Sequence, residues 1–139
     1  MNWFSGTFPK LVRMYKQMEL QFQIECMHHV AVVRCSGRLV RGEALEAFRL
    51  NVIRLERARI ILLDLSEVSH IDAGALGTLL QLRCWARKQA VLMKLVDPSP
   101  FVRRVLEATR LTAVFDISSL EEALCILHGP DCQQHYAVA

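Results

Sequence analysis

The sequence predicts an α/β domain: a small, mostly parallel sheet with an antiparallel hairpin at its N-terminal edge and about four helices packed against it. Three observations carry this. Two short strand-like segments come first, joined by Met27-His28-His29. Strand and helix patterns then alternate towards the C-terminus. The run Ile60-Ile61-Leu62-Leu63-Asp64-Leu65 is apolar at almost every position, as a strand covered on both faces is. Crossover helices make successive strands parallel, whereas a hairpin is antiparallel.

Residues 21–26 and 30–35 alternate or are apolar and form the hairpin, and Gly37 ends the second strand. Residues 43–56 place Leu45, Phe48, Val52 and Leu55 on one helical face, and residues 59–65 make the next strand. A tight acidic turn from Ser66 onwards leads to a helix over residues 73–88, which Asp72 can cap. Residues 91–96 are a further buried strand. Asp97-Pro98-Ser99-Pro100 then turns into a helix with Ser99 as N-cap, Pro100 at its first position and Val102, Val105 and Leu106 as its core stripe. Residues 114–117 form a short last strand. Ser118 with Glu121, or Ser119 with Glu122, offers a capping box for a final helix through residue 127, which Gly129-Pro130 stops.

At 139 residues, 53% hydrophobic and 22% charged, the chain suits one globular domain with a real core. We divide it into an N-terminal extension (1–18), the domain (19–128) and a C-terminal tail (129–139). In the extension, Trp3, Phe4 and Phe8 precede Pro9, and Leu11, Tyr15 and Met18 fall at helical spacing among Lys10, Arg13 and Lys16. Three readings stand open: a basic arm that docks on a membrane surface or partner, a helix packed on the domain, or an extension upstream of a start at Met18. The net charge of +3 comes from scattered Lys and Arg without a dense basic run or interleaved aromatics, which argues against nucleic acid. Cys26, Cys35, Cys84, Cys125 and Cys132 are odd in number and several lie in apolar periodic segments, which favours free thiols in a reducing cytoplasm. No apolar run approaches the roughly 18 residues of a membrane span.

Catalytic signatures are missing: no Gly-x-Ser-x-Gly elbow, P-loop, dinucleotide glycine pattern or spaced His-Glu pair occurs. Asp64 and Asp72 lie near one sheet edge, but an Asp on a buried strand more often accepts bonds from nearby backbone than works in an acid–base pair. Cys125, His128, Cys132 and His135 are zinc-binding residue types, yet their spacing is not that of a finger and Gly129-Pro130 interrupts them. We expect no metal and no cofactor, and solvated turn residues at His28 and His29.

Gly37-Arg38-Leu39, Leu63-Asp64-Leu65-Ser66 with Ile71-Asp72, and Leu95-Val96-Asp97-Pro98-Ser99-Pro100 followed by Val105-Leu106-Glu107 and Leu111 together resemble the STAS domain, the family of bacterial anti-sigma factor antagonists and of the cytoplasmic domains of sulfate transporters. The resemblance covers residues 20–127. It implies a non-catalytic interaction domain whose docking surface is the turn from Asp72 to Leu76 and the first half of the following helix. The family's switch is a Ser or Thr just after the Asp of this turn, phosphorylated by a cognate anti-sigma kinase. Here the turn reads Asp72-Ala73-Gly74-Ala75-Leu76, so alanine stands at the acceptor position and offers no oxygen; Val40 stands where family members commonly carry Asp.

A phosphate at a helix N-terminus is held by free N–H groups and the dipole, and its charge repels an acidic or apolar partner. Without the hydroxyl, binding is expected to be constitutive. The partner-binding residues are Asp72, Ala73, Gly74, Ala75, Leu76, Thr78 and Trp85, with Trp85 either an exposed hot spot beside the turn or a ring lying over the helix edge. The expected partner is an anti-sigma factor or related kinase-fold protein. The alternative is the ATPase of an ABC-type transporter on which the domain sits as an accessory subunit. A homodimer, and a small apolar or nucleotide ligand near the start of this helix, are further openings.

Overall fold

The computed structural model describes residues 18–128. Its elements are β1 (Gln21–Met27), β2 (Val30–Leu39), α1 (Glu43–Ile53), β3 (Ile60–Ile71), α2 (Ala73–Lys88), β4 (Leu92–Val96), α3 (Pro100–Ala108), a 3-10 turn (Leu111–Ala113), β5 (Ile117–Ser118) and α4 (Leu120–His128). The strands lie in the order β1-β2-β3-β4-β5. The hairpin is antiparallel, with Met27 opposite Val30, and the other pairings are parallel.

This order dictates where the helices sit. Each crossover moves to the next strand in the same direction, and crossovers of one hand then place α1, α2 and α3 on the same face. Burial agrees: Leu45, Phe48 and Val52 of α1, Leu79 and Leu82 of α2, and Val102 and Leu106 of α3 share one core with Ile61, Leu63 and Leu65 of β3. On the opposite face Leu62 and Val96 pack with Ala123 of α4. The continuous apolar run in β3 is therefore explained by cover on both faces.

Local chemistry sets the element ends. Ser99 caps α3 by accepting from Val102 N–H, with Pro100 first in the helix. Ser119 and Glu122 form the reciprocal capping box of α4: Glu122 N–H donates to Ser119 Oγ at 3.0 Å and Ser119 N–H to Glu122 Oε2 at 3.3 Å.

The structure corrects the sequence reading in four places. Strand β3 does not end at Leu65 in an acidic turn; it runs on to Ile71, because Ser36, Gly37, Arg38 and Leu39 pair with Glu67, Val68, His70 and Ile71. Two register shifts, between Arg34 and Ser36 and between Gly37 and Arg38, accommodate the extra residues, as β-bulges do. Gly37 accordingly lies inside β2, at φ +89°, and does not end it. An ideal Cβ there would fall 2.3 Å from the Glu19 carbonyl oxygen, so only glycine fits. The last strand is two residues long, because residues 111–113 turn as a 3-10 helix after Arg110 at φ +60°. Helix α1 stops at Ile53, where Leu55 N–H turns back to the Val52 carbonyl.

Candidate functional site

Asp72 sits where β3 hands over to α2. It is extended at φ −114°, ψ 177°, and its own N–H still pairs with the Leu39 carbonyl of β2. The carboxylate makes two bonds to different elements. Oδ1 accepts from Ala75 N–H at 2.8 Å, capping α2, and Oδ2 accepts from Arg41 N–H at 3.0 Å, in the loop between β2 and α1. Burial works to raise its pKa, but the two N–H donors and the Arg41 charge outweigh this and hold it below the ordinary aspartate value.

Beyond the cap, α2 opens with small residues. Ala73 is exposed at the first helical position, and the N–H groups of Ala73 and Gly74 have no acceptor among the described residues. Gly74 backs onto the Arg41 side chain, whose Cβ lies 3.2 Å from where a Gly74 Cβ would be, whereas Gly77 faces open space. With Thr78 and Gln81 they form one wall of a groove of about 490 Å³, and Arg41, Glu46 and Arg49 from α1 and its preceding loop form the other. Thr78 Oγ1 donates to the Gly74 carbonyl, and Arg49 hydrogen-bonds Glu46, holding that carboxyl below its usual value.

The predicted site residues therefore divide. Ala73, Gly74 and Thr78 line this groove, and Asp72 stands next to it, bonded to Arg41 of its other wall. Ala75 and Leu76 do not join them: they point into the core, at 0% and 8% exposure, on the stripe that continues through Leu79, Leu82 and Ala86. Trp85 is half-buried, and twelve residues of helix rise put it about 18 Å along the axis from Ala73. It lines a different cavity, beside His28, His29 and Leu55, so it does not stand beside the turn. The contribution of α1 was missed; Arg41-Gly42 directly after Gly37-Arg38-Leu39-Val40 was the available signal. A tilted contact between His70 and Phe101, with ring centroids 5.1 Å apart, lies on the other side of Asp72 and was also missed.

Asp64 and Cys35 have local explanations. The Asp64 carboxylate takes the N–H and hydroxyl of Ser66 at 3.0 and 2.7 Å, as expected of a local acceptor. Burial and the Asp64 charge push the Cys35 thiol up to about 12, far from a reactive thiolate. Among the described residues no group of three or more His, Cys, Asp or Glu is placed to hold a metal ion. Cys132 and His135 of the zinc quartet lie outside those residues.

The fold and the site thus define a class: a single-sheet α/β domain that presents a helix N-terminus built of small residues beside a groove, at the C-terminal end of its parallel strands. A model of the STAS domain matches residues 21–123, and the chain belongs to that family. The anti-sigma factor antagonist SpoIIAA in its unphosphorylated form has a TM-score of 0.67 at 25% identity, covering 78% of this chain and 97% of that one. The phosphorylated form of the Bacillus cell fate determinant SpoIIAA has a TM-score of 0.61 at 24% identity, over 77% and 99%. The murine anion transporter Slc26a9 has a TM-score of 0.59 at 19% identity, over 73% of this chain and 20% of the transporter. The two latter likenesses concern the fold. No curated protein matches the chain. No described helix is long and apolar enough to cross a membrane.

Proposed function

We propose that this domain is a non-catalytic docking module that binds an anti-sigma factor, or a related kinase-fold protein, through the start of α2, and that it does so without a phosphorylation switch. The observation that carries the reading is Ala73: exposed, next to the capping Asp72, at the position where the family's acceptor hydroxyl belongs, and carrying no oxygen. The likeness to SpoIIAA, which exists in phosphorylated and unphosphorylated forms, supports it. The proposed surface is Asp72, Ala73, Gly74, Gly77 and Thr78 with Arg41. Small residues there let a partner's main chain approach closely, and the open N–H groups of Ala73 and Gly74 can donate to its oxygens.

The test uses three baits in native lysate: wild type, Gly77→Arg and Ala73→Ser. Gly77→Arg fills the groove from a position with open space around it, so the fold survives. The expected result is an ATP-binding anti-sigma protein held by wild type and lost with Gly77→Arg, which then transfers phosphate from ATP to Ala73→Ser and not to wild type. Equal recovery by wild type and Gly77→Arg would refute the surface, and loss of a transporter ATPase would move the domain to the accessory-subunit reading.

A further inference from the structure

A second concave site lies at the other end of the sheet. Its cavity, about 750 Å³, is larger than the groove beside Asp72 and falls within the ~300–1,000 Å³ range of small-molecule sites. Three loops meet there: the β1–β2 turn, the segment between α1 and β3, and the segment between α2 and β4. Backbone bonds fix them to one another. Arg59 and Ile60 N–H donate to the His29 carbonyl at 2.7 and 3.1 Å, and Leu92 N–H donates to the Arg59 carbonyl at 2.9 Å. These bonds hold the cavity walls in place.

Its lining combines two chemistries. Ile53, Leu55, Val91 and the half-buried Trp85 give an apolar, aromatic floor that is continuous with the core. Arg57, Arg59, His28 and His29 stand exposed around it, and among the described residues Glu56 is the only carboxylate in the lining. The side chains of these two arginines and two histidines, and the Trp85 indole N–H, meet no partner among the described residues, whereas Arg49 pairs with Glu46 and Lys94 with Asp116. Two wall residues, His28 at φ +55° and Ala90 at φ +57°, hold left-handed backbone where Asn or Gly is the easier choice.

We propose that this cavity binds a small aromatic anion: a flat ring of one or two fused cycles, carrying carboxylate or phosphate oxygens. The ring covers Trp85 and the floor, and the anionic group takes the N–H forks of Arg57 and Arg59. A planar guanidinium matches both oxygen groups by paired N–H bonds, and two arginines against one glutamate leave the rim net positive. The site is independent of the docking surface at Asp72.

The test is titration calorimetry on the full chain, with 2-naphthoate, 2-naphthyl phosphate, 2-naphthol and cyclohexanecarboxylate as probes. One of the two aromatic anions is expected to bind with one-to-one stoichiometry. Removing the charge (2-naphthol), removing the aromatic ring (cyclohexanecarboxylate) or introducing Arg57→Gln with Arg59→Gln should each weaken binding about tenfold or more. The stronger of the two anions identifies the oxygen group. Amide spectra should shift at Trp85 and Ala90 and not at Ala73. The ligand-side comparisons stand whether or not a variant is stable. Naphthol binding as well as naphthoate, an unchanged affinity in the arginine variant, or no binding by either aromatic anion at millimolar concentration would overturn the proposal.

Discussion

The two ends of α2 are built on opposite plans. At Asp72 the links are backbone and cap: one carboxylate joins α2 to the β2–α1 loop, Gly74 touches the Arg41 stem, and Gly37 of β2 sits against the Glu19 carbonyl. At Trp85 the backbone is equally fixed, but large and charged side chains line the cavity without partners among the described residues. The first plan makes a groove walled on one side by small residues, suited to another protein; the second makes a larger cavity rimmed by charged side chains, suited to a small molecule. The difference teaches where substitution is tolerated. Where atoms of the main chain are the contacts, few side chains fit; where side chains project into solvent, many do.

Three substitutions break or sharpen this contrast. The largest effect is expected from Gly37→Ala, which forces a Cβ against a backbone carbonyl and an L-residue into left-handed φ. A loss of roughly 2–4 kcal/mol, read from urea unfolding, is expected; an unchanged midpoint would show that the Glu19 segment moves aside freely. Next is Asp72→Ala, which removes the cap and the Arg41 tie together and should cost about 1–2 kcal/mol near neutral pH. Since the folded-state pKa lies below the usual value near 3.8, the charged cap's contribution is complete above that value and is lost as pH falls through the folded-state one. The gap between wild type and variant should therefore close in acid, and a gap constant across that window would assign the loss to packing. The smallest effect belongs to the other end: Arg57→Gln with Arg59→Gln should move stability by less than about 0.5 kcal/mol. A larger loss would mean that these arginines hold the fold together.

Much of this architecture was legible because its signals are local. Asp72, Ser99 and the Ser119–Glu122 pair announce helix starts by their own chemistry, and α2 spans the residues its pattern implies. Ala75 and Leu76 were also readable as core, since they share a helical stripe with Leu79 and Leu82; the small-residue run drew attention to the wrong face. The second half of β3 was not legible. Its partner lies some thirty residues earlier in β2, and the bulges that bring Ser36 to Glu67 shift the alternation that marks a strand. The Arg41–Asp72 bond is likewise a tertiary fact, made by a backbone N–H that every non-proline residue carries. The separation of Trp85 from the turn follows from helix rise alone, whereas the loops that enclose it converge only in the folded chain.

The two hydrogen bonds that Asp72 accepts bear on how fast and how rigidly the proposed partner would be met. A helix start whose cap also anchors the neighbouring loop has little left to arrange on contact. Association there loses little conformational entropy, so the free surface and the bound one should differ by side-chain rotamers rather than by backbone movement. The proposed encounter would then resemble the fitting of two finished parts, with discrimination resting on shape at Gly74 and Gly77 instead of on a loop that folds around its target.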